Sequence, residues 1–103
     1  MQSRAVTFVI FDGFDVLDVA GPFEVFGEAG YELTVVAPKA GPVRSDTGLT
    51  IHAHSSVASL DPRRPGTLLV VGGEGVDAAR SDRSLVDWVV AAATTTGDRK
   101  SVV

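Results

Sequence analysis

Three short segments of nearly continuous apolar residues constrain the fold of this chain more than any other feature. They are residues 5–11, 31–37 and 67–71, and all three are rich in β-branched side chains. A strand with one face in water alternates apolar with polar residues, whereas a parallel strand covered on both faces is apolar at successive positions. The three segments therefore predict an α/β fold with a buried parallel sheet.

The stretch between the first two strands predicts a loop followed by a short helix. Residues 12–18 form the predicted loop and carry three aspartates. Gly21-Pro22 predicts the start of a helix, because the missing N–H of proline costs nothing in the first turn. Gly30 predicts the end of that helix. The acidic loop then lies at the carboxyl end of the first strand, where open α/β sheets carry out their chemistry.

The second half of the chain predicts a hairpin, another helix and a fourth strand. An Asp-Thr-Gly turn precedes residues 49–54, whose alternation of apolar and polar residues is typical of a half-exposed hairpin. After the third strand, Ser81 or Asp82 is a candidate cap for a helix that Gly97 ends. One face of this helix carries Leu85, Trp88, Val89 and Ala92. Residues 101–103 read as the beginning of a further strand.

Parallel strands joined by helices predict a doubly wound sheet, a three-layer α/β sandwich that is incomplete at its C-terminus. We expect a single domain, because the chain has 103 residues and shows no internal repeat or linker. In a doubly wound sheet, the acidic loop 12–18 and the glycine loop 72–75 leave the same edge. Both loops are therefore expected to border one crevice.

The charge and composition of the chain exclude several classes of function. The formal net charge is −4, without a stripe of basic residues, so we expect no direct contact with nucleic acid. The basic pair Arg63-Arg64 is explained by a solvated loop. No apolar run approaches the roughly 20 residues of a membrane span, and we expect a cytoplasmic protein with no membrane contact. The absence of cysteine excludes thiolate ligands and a cysteine nucleophile within these residues.

Two groups of side chains are weak candidates for a metal site. His52 and His54 are two apart on the predicted strand, so their side chains share one face. They have no third ligand of evident kind, and a solvated strand face explains them better. Asp12, Asp15 and Asp18 lack the spacing and the closing glutamate of an EF-hand loop. We therefore expect no metal ion.

The aspartates and the glycine loop each allow a structural and a functional interpretation. Helix capping explains Asp15 more readily than Asp18, whose neighbours Leu17 and Val19 are apolar. A carboxyl at the edge of the core is suited to proton exchange. The glycine loop 72–75 is either a tight turn from strand to helix or a source of free N–H groups for an oxyanion or phosphate. Its spacing does not fit a dinucleotide loop, and we expect no cofactor.

Three stretches of sequence occur here in the order seen in one protein superfamily. They are DVLDVAGPFEVF at 15–26, GPVRSDTGLTI at 41–51 and TLLVVGGEG at 67–75. Over essentially its whole length the chain resembles the DJ-1/PfpI superfamily. It is especially similar to the amidotransferase-like N-terminal domains of AraC-type transcription regulators and to isonitrile hydratases. The resemblance implies a flavodoxin-like α/β sandwich that usually forms a homodimer.

The resemblance also implies roles for individual residues. Asp18 matches the acidic position that hydrogen-bonds the family's cysteine nucleophile. Gly73 matches the glycine whose backbone N–H helps to form the oxyanion hole, and Gly72 matches its neighbour, although Val71 replaces a proline common before that pair. In the family, the Cys-Thr-Gly turn with the nucleophile begins at about Val103. We therefore expect that the chain stops before this turn and does not catalyse by the family mechanism.

These expectations favour the ligand-sensing domain of a transcription regulator, with DNA contacted by a helix-turn-helix segment elsewhere. One alternative is the N-terminal part of an isonitrile hydratase-like enzyme, which adds water to a small electrophilic carbon. Another is a short, non-enzymatic paralogue. We also expect a homodimer, because an incomplete sheet exposes an unpaired edge and an uncovered helix face. No residue identifies the ligand.

Overall fold

The fold is a five-stranded parallel sheet with helices on both faces and a separate two-stranded hairpin. The computed structural model describes residues 4–62, 66–95 and 100–102. The strands are β1 (Ala5–Val9), β2 (Glu32–Ala37), β3 (Gly41–Arg44), β4 (Thr50–Ala53), β5 (Ser55–Ser56), β6 (Thr67–Val70) and β7 (Lys100–Val102). The α-helices are α1 (Val16–Glu28), α2 (Val76–Arg80) and α3 (Arg83–Thr95), and a 3₁₀ helix spans Val57–Ser59.

The order of strands in the sheet is β5-β2-β1-β6-β7, and each neighbouring pair is parallel. Strands β3 and β4 pair antiparallel as a hairpin. The three apolar segments thus become adjacent strands, with β1 between β2 and β6. This arrangement confirms the predicted doubly wound, flavodoxin-like sheet and the predicted hairpin.

Strand β1 is covered on both faces because helices lie on either side of it. Phe8 is fully buried, and its ring centroid lies 5.5 Å from that of Phe23 in α1. The next residue, Val9, points to the opposite face and lines a hollow with residues of α2 and α3. Fully burying a side chain of this kind contributes about 1.5–3 kcal/mol. Continuous apolarity in the strand therefore stabilises two helix layers at once.

Helix α1 begins at Val16, so the prediction of a start at Gly21-Pro22 was wrong. The carboxylate of Asp15 caps the helix by accepting a hydrogen bond from the backbone N–H of Leu17 at 3.0 Å. Pro22 lies inside the helix and lacks the N–H that would bond to the carbonyl of Asp18. Because the helix begins at Val16, Asp18 sits in the first helical turn instead of a loop.

We expect Asp15→Ala to lower the free energy of unfolding by about 1 kcal/mol, because the N-terminal turn loses its side-chain acceptor. Urea unfolding followed by circular dichroism measures this change. Asp15→Asn is the matched control, since its side-chain oxygen still accepts the bond from Leu17. An unchanged urea midpoint in Asp15→Ala would show that the cap does not stabilise α1.

The end of α1 and the start of α3 agree with the predicted signals. Helix α1 ends at Glu28, and Gly30 follows with a φ of +88°, which favours glycine. Of the two candidate caps of α3, Asp82 is the one used, because its Oδ1 accepts from the backbone N–H of Leu85 at 3.2 Å. The predicted face of α3 is confirmed: Leu85, Trp88 and Ala92 are buried, and Val89 is partly buried against the core.

Short elements escaped prediction because they have no apolar face of their own. Helix α2 buries none of its residues, and β5 consists of two serines. The predicted loop at Arg63-Arg64 and the predicted helix end at Gly97 lie outside the described residues. Within the described part of the chain, no helix is long and apolar enough to cross a membrane.

Candidate functional site

The carboxyl ends of β1 and β6 form a crevice at the point where the chain changes direction across the sheet. From β1 the chain continues through α1 to β2 on one side, whereas β6 leads through α2 and α3 to β7 on the other. Such a switch point is the usual ligand site of open α/β sheets, because neither connection covers it. The acidic loop and the glycine loop both leave the sheet here, as predicted.

Backbone hydrogen bonds join these two loops directly. The N–H of Asp15 donates to the carbonyl of Gly72 at 2.8 Å, and the N–H of Gly75 donates to the carbonyl of Gly13 at 3.0 Å. A peptide unit holds its C=O and the following N–H in opposite directions. Because the carbonyl of Gly72 faces Asp15, the N–H of Gly73 in the same peptide unit is directed away from the acidic loop.

The contact between the loops is close enough to require glycine at two positions. Gly73 has a φ of +134°, and a Cβ there would lie 2.7 Å from the backbone N of Asp15. A Cβ on Gly75 would meet the carbonyl oxygen of Asp12 and lie 3.0 Å from Cα of Gly13. The glycines are therefore needed for close approach, which confirms the tight-turn interpretation of this loop.

The structure brings Asp18 and Gly72 together, although 54 positions separate them in the sequence. Oδ2 of the half-buried Asp18 accepts a hydrogen bond from the N–H of Gly72 at 3.1 Å. Asp15 instead caps α1, and the side chain of Asp12 is exposed. The described residues contain no group of three or more metal-ligating side chains.

A second carboxylate, which the sequence did not identify, also contacts the glycine loop. Oδ2 of Asp46, in the turn of the β3–β4 hairpin, accepts from the N–H of Glu74 at 3.3 Å. The N–H groups of Gly72 and Glu74 are thus taken by carboxylates, whereas that of Gly73 donates to no acceptor among the described residues. This N–H is half-buried and chemically suited to bind a carbonyl or developing oxyanion.

The flanking carboxylates of Asp18 and Asp46 determine the electrostatics around this free N–H. Both interact with backbone N–H groups immediately before and after Gly73. Two negative charges at such short range oppose the binding of another anion. An uncharged hydrogen-bond acceptor is therefore a better ligand for the N–H of Gly73 than phosphate or carboxylate, and the phosphate interpretation of the loop loses support.

Two hollows lie between the sheet and helices α2 and α3. One hollow, of about 240 Å³, has walls of aliphatic and aromatic side chains that include Val9, Phe11 and Val89. The other, of about 360 Å³, is lined in part by Asp12 and Lys39. Apolar walls beside a small number of polar groups are typical of small-molecule sites.

His52 lies on β4, which ends at Ala53, so His54 follows the strand. Nδ1 of His54 accepts a hydrogen bond from the backbone N–H of Val35 at 2.9 Å, and the backbone N–H of His54 donates to the carbonyl of Val35 at 2.7 Å. His54 therefore attaches the end of the hairpin to β2. Its Nδ1 is occupied by this structural contact.

The sequence and the fold of this chain are both similar to those of known proteins. The DJ-1/PfpI family model matches residues 4–99. A Streptomyces lividans protein, called an uncharacterized protein in the cpoL 5′ region, is 37% identical over 76 residues, which cover 69% of this chain and 52% of that protein. A crystal structure of a ThiJ/PfpI family protein from Pseudomonas syringae is 28% identical with a TM-score of 0.81, covering 99% of this chain and 41% of that one.

Similarity of fold extends to more distant proteins. Drosophila melanogaster DJ-1beta is 18% identical with a TM-score of 0.83, covering 98% of this chain and 55% of its own. The chain thus spans about half the length of these relatives, with shares between 41% and 55%. Because the family match includes both the sheet and the loops that form its crevice, this chain belongs to the DJ-1/PfpI family.

Proposed function

We propose that this chain provides a ligand-sensing DJ-1/PfpI-like domain of a transcription regulator and binds a small uncharged ligand at the N–H of Gly73. The observation that carries this proposal is the free N–H of Gly73. The N–H groups of its two neighbours in the chain, Gly72 and Glu74, are both hydrogen-bonded to carboxylates. The net charge of −4 disfavours contact between this domain and DNA, which supports a regulator whose DNA contacts are made by another segment. Such a regulator works in the cytoplasm, as expected from the sequence.

Binding is favoured over catalysis by the chemistry of the residues in the crevice. The 103 residues contain no cysteine. Asp18 already accepts the N–H of Gly72 and so helps to fix the loop. The crevice therefore offers a hydrogen-bond donor and a fixed carboxylate, which together orient a small ligand. A covalent mechanism needs a nucleophile in addition.

An isonitrile hydratase-like enzyme is the second candidate, and one observation favours it. Asp18 lies beside the free N–H of Gly73, so its carboxylate is placed to assist the addition of water to an electrophilic carbon bound there. Homodimer formation stays a prediction for either function. The exposed apolar side chains of Leu17 and Val25 on α1 support it, since they are 77% and 67% exposed.

Two measurements test this proposal. The ¹⁵N-labelled chain is titrated with N-methylacetamide as an uncharged acceptor and with acetate as an anion, and the amide of Gly73 is followed by NMR. We expect a saturable downfield shift with N-methylacetamide and a smaller one with acetate. Equal small shifts at Gly73 and at the remote Gly21 would refute specific binding. Intact mass and C-terminal sequencing of the native protein separate a regulator with a helix-turn-helix segment from an enzyme with a Cys-Thr-Gly turn.

We expect Asp18→Ala to weaken the response of Gly73 to N-methylacetamide and to lower the free energy of unfolding by about 1 kcal/mol, because the N–H of Gly72 loses its acceptor. Asp18→Asn is the control, because its amide oxygen can still accept that bond. Probe affinity comes from the NMR titration, and stability comes from urea unfolding. Full retention of both quantities in Asp18→Ala would show that Asp18 does not order the loop.

A further inference from the structure

The turn of the β3–β4 hairpin is fixed by its own hydrogen bonds before it reaches the glycine loop. Ser45 is 4% exposed; its N–H donates to the carbonyl of Leu49 at 2.7 Å, and its Oγ accepts the N–H of Leu49 at 2.9 Å. Gly48 closes the turn at a φ of +98° by donating to the carbonyl of Ser45 at 3.1 Å. Asp46 therefore lies within a turn of well-determined geometry.

The same turn is attached to the buried end of the acidic loop. The N–H of Asp46 donates to the carbonyl of Phe14 at 2.9 Å, and Phe14 is fully buried. Phe14 and Ser45 form an isolated parallel bridge, and the N–H of Gly13 donates to the carbonyl of Arg44 at 2.8 Å. Because this backbone is already held, the side chain of Asp46 loses little further conformational entropy when it contacts Glu74.

Asp18 and Asp46 hold the peptide units on either side of the unit that carries the N–H of Gly73. Asp18 binds the N–H of Gly72, in the peptide unit before it, and Asp46 binds the N–H of Glu74, in the unit after it. Gly73 has a φ of +134° and no side chain to restrict its rotation. Without the contact from Asp46, only one of the two flanking units keeps its side-chain anchor.

We propose that Asp46 is a positioning residue that couples the β3–β4 hairpin to the glycine loop and orients the N–H of Gly73 for ligand. The role of Gly73 in binding a ligand rests on the proposed function. The contact between Asp46 and Glu74 is measurable without any ligand. A ligand that also touches the hairpin turn is then sensed through Asp46. Asp46 acts through the loop backbone and does not itself hold the ligand.

Amide hydrogen exchange of the full chain tests this role in Asp46→Ala, Asp46→Asn and the control Asp87→Ala, which removes an exposed carboxylate on α3. We expect exchange at Glu74 to become about fivefold faster in Asp46→Ala, as for loss of one net hydrogen bond. Asp46→Asn keeps an acceptor and should restore exchange to about the wild-type rate. The affinity of Gly73 for N-methylacetamide should fall about threefold in Asp46→Ala and stay constant in Asp87→Ala.

Equal exchange at Glu74 in wild type and Asp46→Ala would overturn the proposal. If Asp46→Ala does not fold, the proposal is tested on the wild-type chain by the temperature coefficients of its amide proton chemical shifts. Glu74 should show the small coefficient of a hydrogen-bonded N–H, and Gly73 the large coefficient of a free N–H. A large coefficient at Glu74 refutes the contact. If Gly73 responds to no probe but Glu74 still depends on Asp46, the proposed function fails while the positioning role stands.

Discussion

Gly75→Ala is expected to destabilise the chain by about 3 kcal/mol or more, because its methyl group overlaps the backbone of the acidic loop. Gly75 has a φ of −80°, which alanine adopts without strain, so the effect is purely steric. The new Cβ would meet the carbonyl oxygen of Asp12 and lie 2.9 Å from its carbonyl carbon. Backbone cannot move aside as a flexible side chain can, and the two loops must therefore separate.

Urea unfolding of Gly75→Ala measures this loss, and Gly21→Ala is its matched control. Gly21 lies within α1, and a Cβ there has no neighbour within 4 Å. Alanine at that position should leave stability near the wild-type value, because its gain in helix propensity is opposed by contact of its Cβ with the ring of Pro22. A lower midpoint is expected for Gly75→Ala alone. A Gly75→Ala midpoint at or above the wild-type value would mean that the loops do not pack as closely as described.

Phe14→Ala is expected to cost about 3–5 kcal/mol, because it leaves a cavity at a fully buried position. Phe14 lies where the acidic loop meets the hairpin, and its carbonyl accepts the N–H of Asp46. The cavity therefore lies beneath both loops of the crevice. We expect the amide of Glu74 to lose its protection from hydrogen exchange together with the core.

Phe26→Ala is the control for Phe14→Ala. Phe26 is only partly buried, where it packs against the ring of Tyr31 at a centroid distance of 5.0 Å. Its truncation should cost less than that of Phe14, because solvent and neighbours fill the space more readily. Urea midpoints and hydrogen exchange of the Glu74 amide are compared in both variants. Equal losses would contradict the central position of Phe14.

The sheet could be predicted from the sequence because burial on both faces leaves a local signature. Strands β1, β2 and β6 each carry it, whereas their order in the sheet is visible only in the folded chain. The start of α1 was harder, because Gly21-Pro22 resembles a helix start while the true cap is a single side-chain contact of Asp15. Only the folded chain shows that Pro22 is the seventh residue of the helix and is tolerated there.

The site was predictable only in part. That Asp18 lies close to Gly72 followed from the common edge of the sheet and from family resemblance, since nothing local links residues 54 positions apart. Asp46 was missed because its place in an Asp-Thr-Gly turn already had a sufficient local explanation. The contact of His54 with Val35 was missed for a similar reason: strand alternation cannot show where a strand ends.

The position of β1 between β2 and β6 has a consequence for the order of folding. Strand β2 follows β1 after one short helix, whereas β6 arrives only after the hairpin and the 3₁₀ helix have been passed. Each doubling of a closed loop costs only about 0.6 kcal/mol in stability, but such distant pairing slows folding. We expect β1, α1 and β2 to associate first, with Asp18 in place and its partner Gly72 still absent. The crevice then forms only after β6 has paired with β1, so a nascent molecule that ends before β6 holds the acidic loop without its glycine partner.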